Sequence, residues 1–454
     1  MLDFEKFLKY KFSTDTRTIK PGEIFVAIKG ENFDGHNFTE KAFQLDASYA
    51  VVDESDVFND LFNTYHEKLL KVESTKDFLL QMAHFKREKS HAKFIGVTGS
   101  TGKTTTKELL AFLLRNSGLK VSASLGNFNN SIGMPLSILN SNLDDDFVVI
   151  EIGISHKNEM QELSRVLSPD YAVITNIELS HIGNFNSILE IADEKSDLLW
   201  SIKKEGKFYS FKNSPFLELF KTKLQKNSIR SFYCDLDTIN ILPSENGLNI
   251  SGVFLNDIRV NYHINSIDVS EAVDSVLAVF AVSDILNLNQ DEVNNLALSL
   301  KNFNMISGRG NASDLTINNK HIKLIDQSYN ASISSMRNGI KSLNYYRNKD
   351  HRIIAVMGEI LELGERSMSE HWKLVPIVDK YSVDKVYLCG SAILENIFGE
   401  MEDSKKGGYA KSSQELFSLI KDDLQDGDII FVKGSHSMNM SYIIQELKKL
   451  ENLC

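Results

Sequence analysis

The stretch GVTGSTGKTTTKELL, Gly96 to Leu110, sets glycines, a lysine and a run of threonines where a phosphate could be held. A strand-like run, KFIGVTG, leads into it and a helical run leads out. Such a turn aims consecutive backbone N–H groups and a helix N-terminus at an anion. Gly99 and Gly102 permit the tight path, Lys103 supplies charge for the β- and γ-phosphates, and the Thr104 hydroxyl suits Mg²⁺. Ser100, Thr101 and Thr105 complete the loop. Val97 stands at the first glycine of the strict Walker spacing, a position the physics of the loop does not require to be glycine.

Phosphoryl transfer to an anionic acceptor gathers negative charge, so cations and metal ligands are expected near the loop. Glu151 ends the strand-like run DFVVIEIG, and His181 follows DYAVITNI. Both offer ligand atoms suited to a second Mg²⁺. By type alone, Glu151 is equally a carboxylate at a helix N-terminus, and His181 an ordinary loop histidine. Asn127 and Asn130 in GNFNNSIG have neutral amides for a phosphate or carboxylate, or they simply form turns. Lys195 in IADEKSD reads by itself as a surface lysine.

The elements that must position these residues fall into three blocks. Residues 1–88 carry short strands, EIFVAI and ASYAVVD, around the turn-rich KGENFDGHNF. The helix STKDFLLQMAHFKREKS follows, its charged tail KREKS reading as a linker. Residues 89–305 alternate buried strands with helices, which predicts a mainly parallel sheet with ligands at the strands' carboxyl ends. Within this block, 240–266 reads as an antiparallel meander turning at ENG and LND. Residues 306–454 restart the alternation with four strands, IKLIDQSY, HRIIAVMG, KVYLCG and GDIIFVKG, a Rossmann-like unit with no G-x-G-x-x-G. The fold class is therefore α/β in three domains.

Read as G-x-x-G-x-x-G-K-T, the loop resembles that of the Mur ligase family, and the resemblance runs nearly end to end. STDTRTIKPGEIFVAIKGENFDGHNF resembles the family's uridine-nucleotide-binding segment. GNFNNSIGMPLSIL, EIGISHKNEM, ITNIELSHIGNF and IADEKSD resemble its ATPase motifs, and GRG, DQSYNASISSM, MGEILELGERS and VKGSHSMNM those of its C-terminal domain. The resemblance implies that ATP phosphorylates a carboxylate on a UDP-linked sugar and that an amine displaces the phosphate. The most similar family pattern adds D-alanyl-D-alanine to UDP-N-acetylmuramoyl-tripeptide, in peptidoglycan precursor synthesis. It implies ATP and two Mg²⁺ as cofactors, Glu151, His181, Lys195 and Thr104 as metal ligands, and carbamylation of Lys195 by CO₂. It places Arg309 on the γ-phosphate, and Asp326, Tyr329 and Asn330 at the nucleotide. Thr16, Arg17, Lys29 and His36 fall at the uridine nucleotide, and Lys433, Ser435 and His436 at the incoming amine.

The chain departs from the family's DDSYNANP with Gln327, Ser332 and Ile333. The asparagine-rich helix start near adenine here carries Asp268 and Glu271, and His436 and Asn439 stand where arginines are common. The amine thus stays open between the dipeptide and a different amino acid used in surface-polysaccharide assembly. A nucleotide-binding switch without ligase chemistry is a further reading, disfavoured by the acceptor-side ligands.

A chain of 454 residues with 42% hydrophobic and 24% charged residues is of the soluble, multidomain globular class. Its net charge of −11 argues against nucleic acid and anionic membranes as partners. Cys234, Cys389 and Cys454 are isolated, as in a reducing compartment. MLDFEKFLKYKF lacks the apolar region of a secretory signal, so a cytoplasmic protein is expected; the expected oligomeric state is a monomer.

Overall fold

The computed structural model describes residues 3–451, except 31–32, 127, 180–181, 226–228, 245–246, 255–256, 267, 305–306 and 347–350, and the side chain of Ser55. Asn127, His181 and Cys454 therefore lie outside the described residues, as do the centres of the two meander turns.

Four sheets organise the chain. The first is parallel, in the order β1 (Phe12–Ser13), β2 (Ile24–Val26), β3 (Tyr49–Val52), β4 (Leu69–Lys71). Strand alternation turns Ile24 and Val26 to the main core and Phe25 to a smaller one. The second contains β5 (Lys93–Thr98), β6 (Val121–Ala123), β7 (Phe147–Glu151), β8 (Tyr171–Ile174), β9 (Lys207–Phe211) and β10 (Arg230–Cys234). Their order is β10-β9-β8-β5-β7-β6, all parallel. β5 is flanked by strands that follow it on both sides, so the sheet opens a crevice at the carboxyl end of β5.

The meander is an antiparallel sheet of β11 (Ile239–Ser244), β12 (Gly247–Val253) and β13 (Arg259–Ile264). The fourth sheet has six strands rather than the four read from sequence. Its order is β14 (Asn311–Ile317), β15 (Lys320–Gln327), β19 (Ile429–Lys433), β16 (Ile353–Gly358), β17 (Lys385–Cys389), β18 (Lys406–Ala410). The two missed strands, β14 and β18, are the edges, with half-exposed polar or glycine-rich sequences that carry no apolar run.

The helix Thr75–Lys89 corrects the reading of KREKS as a linker. Ser74 caps it by accepting the Asp77 N–H, and Phe78, Leu79, Met82 and Ala83 are buried along it. The helical period carries that face on to residues 86 and 87, so Lys86 and Arg87 are buried too. The Lys86 ammonium donates to the carbonyls of Leu139 at 2.6 Å and Ser141 at 2.8 Å. The Arg87 guanidinium donates to Leu167 at 2.9 Å, to Ser168 at 2.8 Å and to the Asp170 carboxylate at 2.8 Å. Each cation thus closes the C-terminal end of a helix, Gly133–Leu139 or Glu159–Leu167, where carbonyls lack partners. Lys11 joins the first group, donating to the Asn140 carbonyl at 2.6 Å. Among the described residues no helix is long and apolar enough to cross a membrane.

Candidate functional site

β5 delivers the phosphate loop. Val97 is fully buried inside the strand, level with Glu151 of β7 and Val173 of β8, where its side chain packs in the core. Gly102 takes φ 78°, and a Cβ there would lie 2.4 Å from an Asp274 oxygen. A Cβ on Gly99 would lie 1.9 Å from the Thr175 hydroxyl. These two positions therefore require glycine on grounds of space as well as backbone angle.

The loop is held from β8's far end. The Thr101 N–H donates to Asn176 Oδ1 at 2.8 Å, and Asn176 Nδ2 donates to the Thr101 hydroxyl at 2.6 Å. The Ser100 hydroxyl donates to the Glu178 carbonyl at 2.9 Å and accepts the Glu178 N–H at 2.8 Å. Lys103 donates to the carbonyls of Gly99 and Ser100, each at 3.1 Å. Burial lowers its ammonium from the ordinary lysine value; Glu151 opposes that shift and Arg309 adds to it.

A cavity of about 1030 Å³ opens over this loop and reaches the fourth sheet. Ser100, Thr101, Gly102, Lys103, Thr104, Thr105, Asn130, Glu151, Arg309, Tyr329, Asn330, Lys433, Ser435 and His436 all line it. The Arg309 guanidinium stacks 4.3 Å over the Tyr329 ring and donates from Nη2 to Thr104 Oγ1 at 3.1 Å. Burial brings the Lys433 ammonium down to about 8, and it donates to the Asn330 carbonyl at 3.0 Å. The His436 Nδ1 lies 3.2 Å from the Tyr329 carbonyl, and the Ser435 hydroxyl takes the Leu361 N–H at 2.9 Å.

Glu151 is 1% exposed. Its Oε1 accepts the Asn129 amide at 2.7 Å, while Oε2 is buried without a partner among the described residues. A buried carboxylate oxygen left unpaired is costly, and a cation is the partner it suits. Lys195 is buried, against the reading of a surface lysine: its helix, Ile188–Ser196, turns it inward to 1% exposure. Burial, with Lys103 adding, holds its ammonium well below the ordinary lysine value. The neighbouring Glu194 fixes that helix by accepting the N–H groups of Asn158 and Met160, both at 2.8 Å.

Some expected residues point elsewhere. Asp326 turns inward and accepts the N–H and hydroxyl of Ser328, whereas its neighbour Gln327 faces the cavity. Asn130 uses its oxygen on the N–H groups of Ile132 and Gly133. Thr16, Arg17, Lys29 and His36 sit on the first sheet's unit, outside the cavity lining. There Arg17 pairs with Asp15 at 2.6 Å and Lys29 with Glu54 at 2.8 Å. The buried His36 ring meets Asp34 at 2.7 Å and Asp53 at 2.8 Å.

The structure also adds Asn129, Asn176, Glu178 and Asp274 to the site, and gives roles to Gln327, Asp268 and Glu271. Asn129 holds Glu151, Asn176 holds the loop, and Glu178, in the segment after β8, accepts the Ser334 hydroxyl of the fourth sheet's unit. Gln327 donates to Asp268 at 2.8 Å, tying the same units together. Glu271 lies against Gly310 and Asp274 against Gly102; burial pushes both carboxyls well above the usual range, and Asp268 adds to each. Asn129 was visible in GNFNNSIG, but no spacing distinguishes it from its neighbours.

The family description "Mur ligase family, catalytic domain" matches residues 10–87, "Mur ligase middle domain" 97–269, and "Mur ligase, glutamate ligase domain" 315–436. The UDP-N-acetylmuramoyl-tripeptide–D-alanyl-D-alanine ligase of Bacillus subtilis is 29% identical over 450 residues, covering 98% of this chain and 94% of that one. The ligase of the same name from Rickettsia prowazekii is 29% identical, covering 95% and 93%. The MurF ligase of Thermotoga maritima, solved with ADP, superposes over 100% of both chains with a TM-score of 0.81 at 23% identity. MurF of Acinetobacter baumannii gives 0.81 at 25% identity, over 97% and 93%. Three matches in order, from the first sheet through the phosphate loop to the far wall of the cavity, make this chain a member of the Mur ligase family.

Proposed function

We propose that the protein is an ATP-dependent, ADP-forming ligase that joins D-alanyl-D-alanine to UDP-N-acetylmuramoyl-tripeptide in peptidoglycan precursor synthesis. One observation carries this reading. Lys103, the half-paired Glu151 and Arg309 converge on one cavity from two sheets, an arrangement suited to transferring a phosphoryl group between anions. The full-length likeness to ligases named for this reaction supports the choice of substrates.

In this reading a substrate carboxylate oxygen attacks the γ-phosphorus of ATP, and ADP leaves. The amine of the dipeptide then attacks the acyl carbon, phosphate departs, and a proton is lost as the amide forms. Lys103 and Arg309 offset the charge gathered at phosphorus. Two Mg²⁺ ions, one that Thr104 would hold beside ATP and one that Glu151, His181 and Lys195 would hold near the acceptor, would supply further positive charge. Lys195 suits a carbamate: its lowered proton affinity favours the neutral amine, whose nitrogen bonds to CO₂ and releases a proton. Residues 1–88 would hold the UDP-sugar, 89–305 the ATP, and 306–454 the amine, in a cytoplasmic monomer.

The test is phosphate release from ATP with UDP-N-acetylmuramoyl-tripeptide, screened against D-alanyl-D-alanine and single amino acids. Release with the dipeptide alone fits; no release with any amine sinks the reading. His436, turned onto Tyr329 where the family commonly has an arginine, favours a second reading with another amine, which release with a single amino acid would establish.

A further inference from the structure

The helix Lys103–Asn116 carries a second lysine that phosphoryl transfer does not use. Lys107 lies one turn beyond Lys103, is 0% exposed, and does not line the cavity. A buried ammonium is costly unless acceptors take its protons. Here they go to the Ser124 carbonyl at 2.6 Å and the Glu108 carboxylate at 2.5 Å.

Ser124 follows β6, and its hydroxyl accepts the backbone N–H of Glu151 at 3.0 Å. Its own N–H donates to the Val149 carbonyl at 3.0 Å. Five residues on, Asn129 of the same segment holds Glu151 Oε1, and its carbonyl takes the Gly153 N–H at 2.8 Å. One segment therefore grips the end of β7 twice, at the backbone through Ser124 and at the carboxylate through Asn129. Lys107 anchors the first grip.

Resting on the metal-site reading above, we infer that Lys107 is a positioning residue that, through Ser124, fixes where Glu151 presents its free oxygen to the metal. One helix then carries two lysines with divided tasks. Lys103 meets phosphate from the first turn, and Lys107 sets the metal's carboxylate from the second. The phosphate and metal halves of the site are thereby registered to a single rigid element.

Mn²⁺ is the probe, titrated by electron paramagnetic resonance into the full-length protein holding ADP, with ADP affinity measured separately without metal. Lys107→Met and Ser124→Ala are each expected to weaken Mn²⁺ by about tenfold or more, with Lys107→Arg recovering part of the loss. ADP binding without metal should stay within about twofold of the parent in every variant. Ser124→Ala deletes one hydroxyl and no charge, so it carries the test where Lys107→Met does not fold. Unchanged Mn²⁺ affinity in the folded variants overturns the inference. So does an equal fall in Mn²⁺ and ADP affinity, which marks a general scaffold role. A parent that takes up no Mn²⁺ overturns the metal site itself, and this role with it.

Discussion

Asn129 and Asn130 are adjacent and identical in type, yet one amide reaches Glu151 while its neighbour closes a turn. The motif around them is plain in the sequence. Which amide serves the carboxylate depends on how the turn aims each side chain at β7, and composition carries no trace of that. Asn129→Ala is expected to raise the Mg²⁺ concentration for half-maximal phosphate release by about tenfold or more. Asn130→Ala should instead cost about 1 kcal/mol of unfolding free energy and leave Mg²⁺ dependence unchanged. Lys195 makes the complementary case, since residue type reads it as exposed and only tertiary burial turns it inward. Lys195→Ala should lose about 10²-fold or more in turnover, with a short carboxylate such as acetate restoring part of it. An unchanged rate would remove the carbamate.

At the scale of elements, β5, its loop and the following helix were legible because glycine spacing and buried-strand patterning agree there. The charged end of the helix Thr75–Lys89 was not legible, because charge usually marks solvent. Here Lys86 and Arg87 serve backbone carbonyls, which leave no residue-type signature. Lys86→Met would leave the Leu139 carbonyl buried and unpaired and the Ser141 carbonyl to Lys11 alone, destabilising the fold by about 2 kcal/mol or more in urea unfolding. Burial brings the Lys86 ammonium down to about 8 from 10.5. Between those values the unfolded chain binds more protons than the folded one, so this group makes stability rise with pH across that window. The neutral amine still has N–H groups to give the carbonyls. The parent's urea midpoint should therefore climb more steeply from pH 8 to 10 than that of Lys86→Met; equal slopes would contradict the assignment.

The whole molecule assembles its site across units. Arg309 reaches Thr104, Glu178 meets Ser334, and the Gly183 N–H donates to the Glu362 carbonyl at 3.1 Å. Arg309→Lys keeps the charge but neither the planar fork nor the stack on Tyr329. Phosphate release should fall about tenfold or more, read as kcat at saturating ATP. On the opposite flank, the buried cations of the helix Thr75–Lys89 bind the first sheet's unit to two helices of the second. Sequence composition marks residue 88 as a boundary, but the covalent boundary and the energetic one do not coincide. A truncated protein starting after it would strand the carbonyls of Leu139, Ser141, Leu167 and Ser168. Trimming the N-terminus would therefore unmake the ATP-binding core instead of liberating it, and the smallest soluble fragment that holds nucleotide should begin upstream of Ser74.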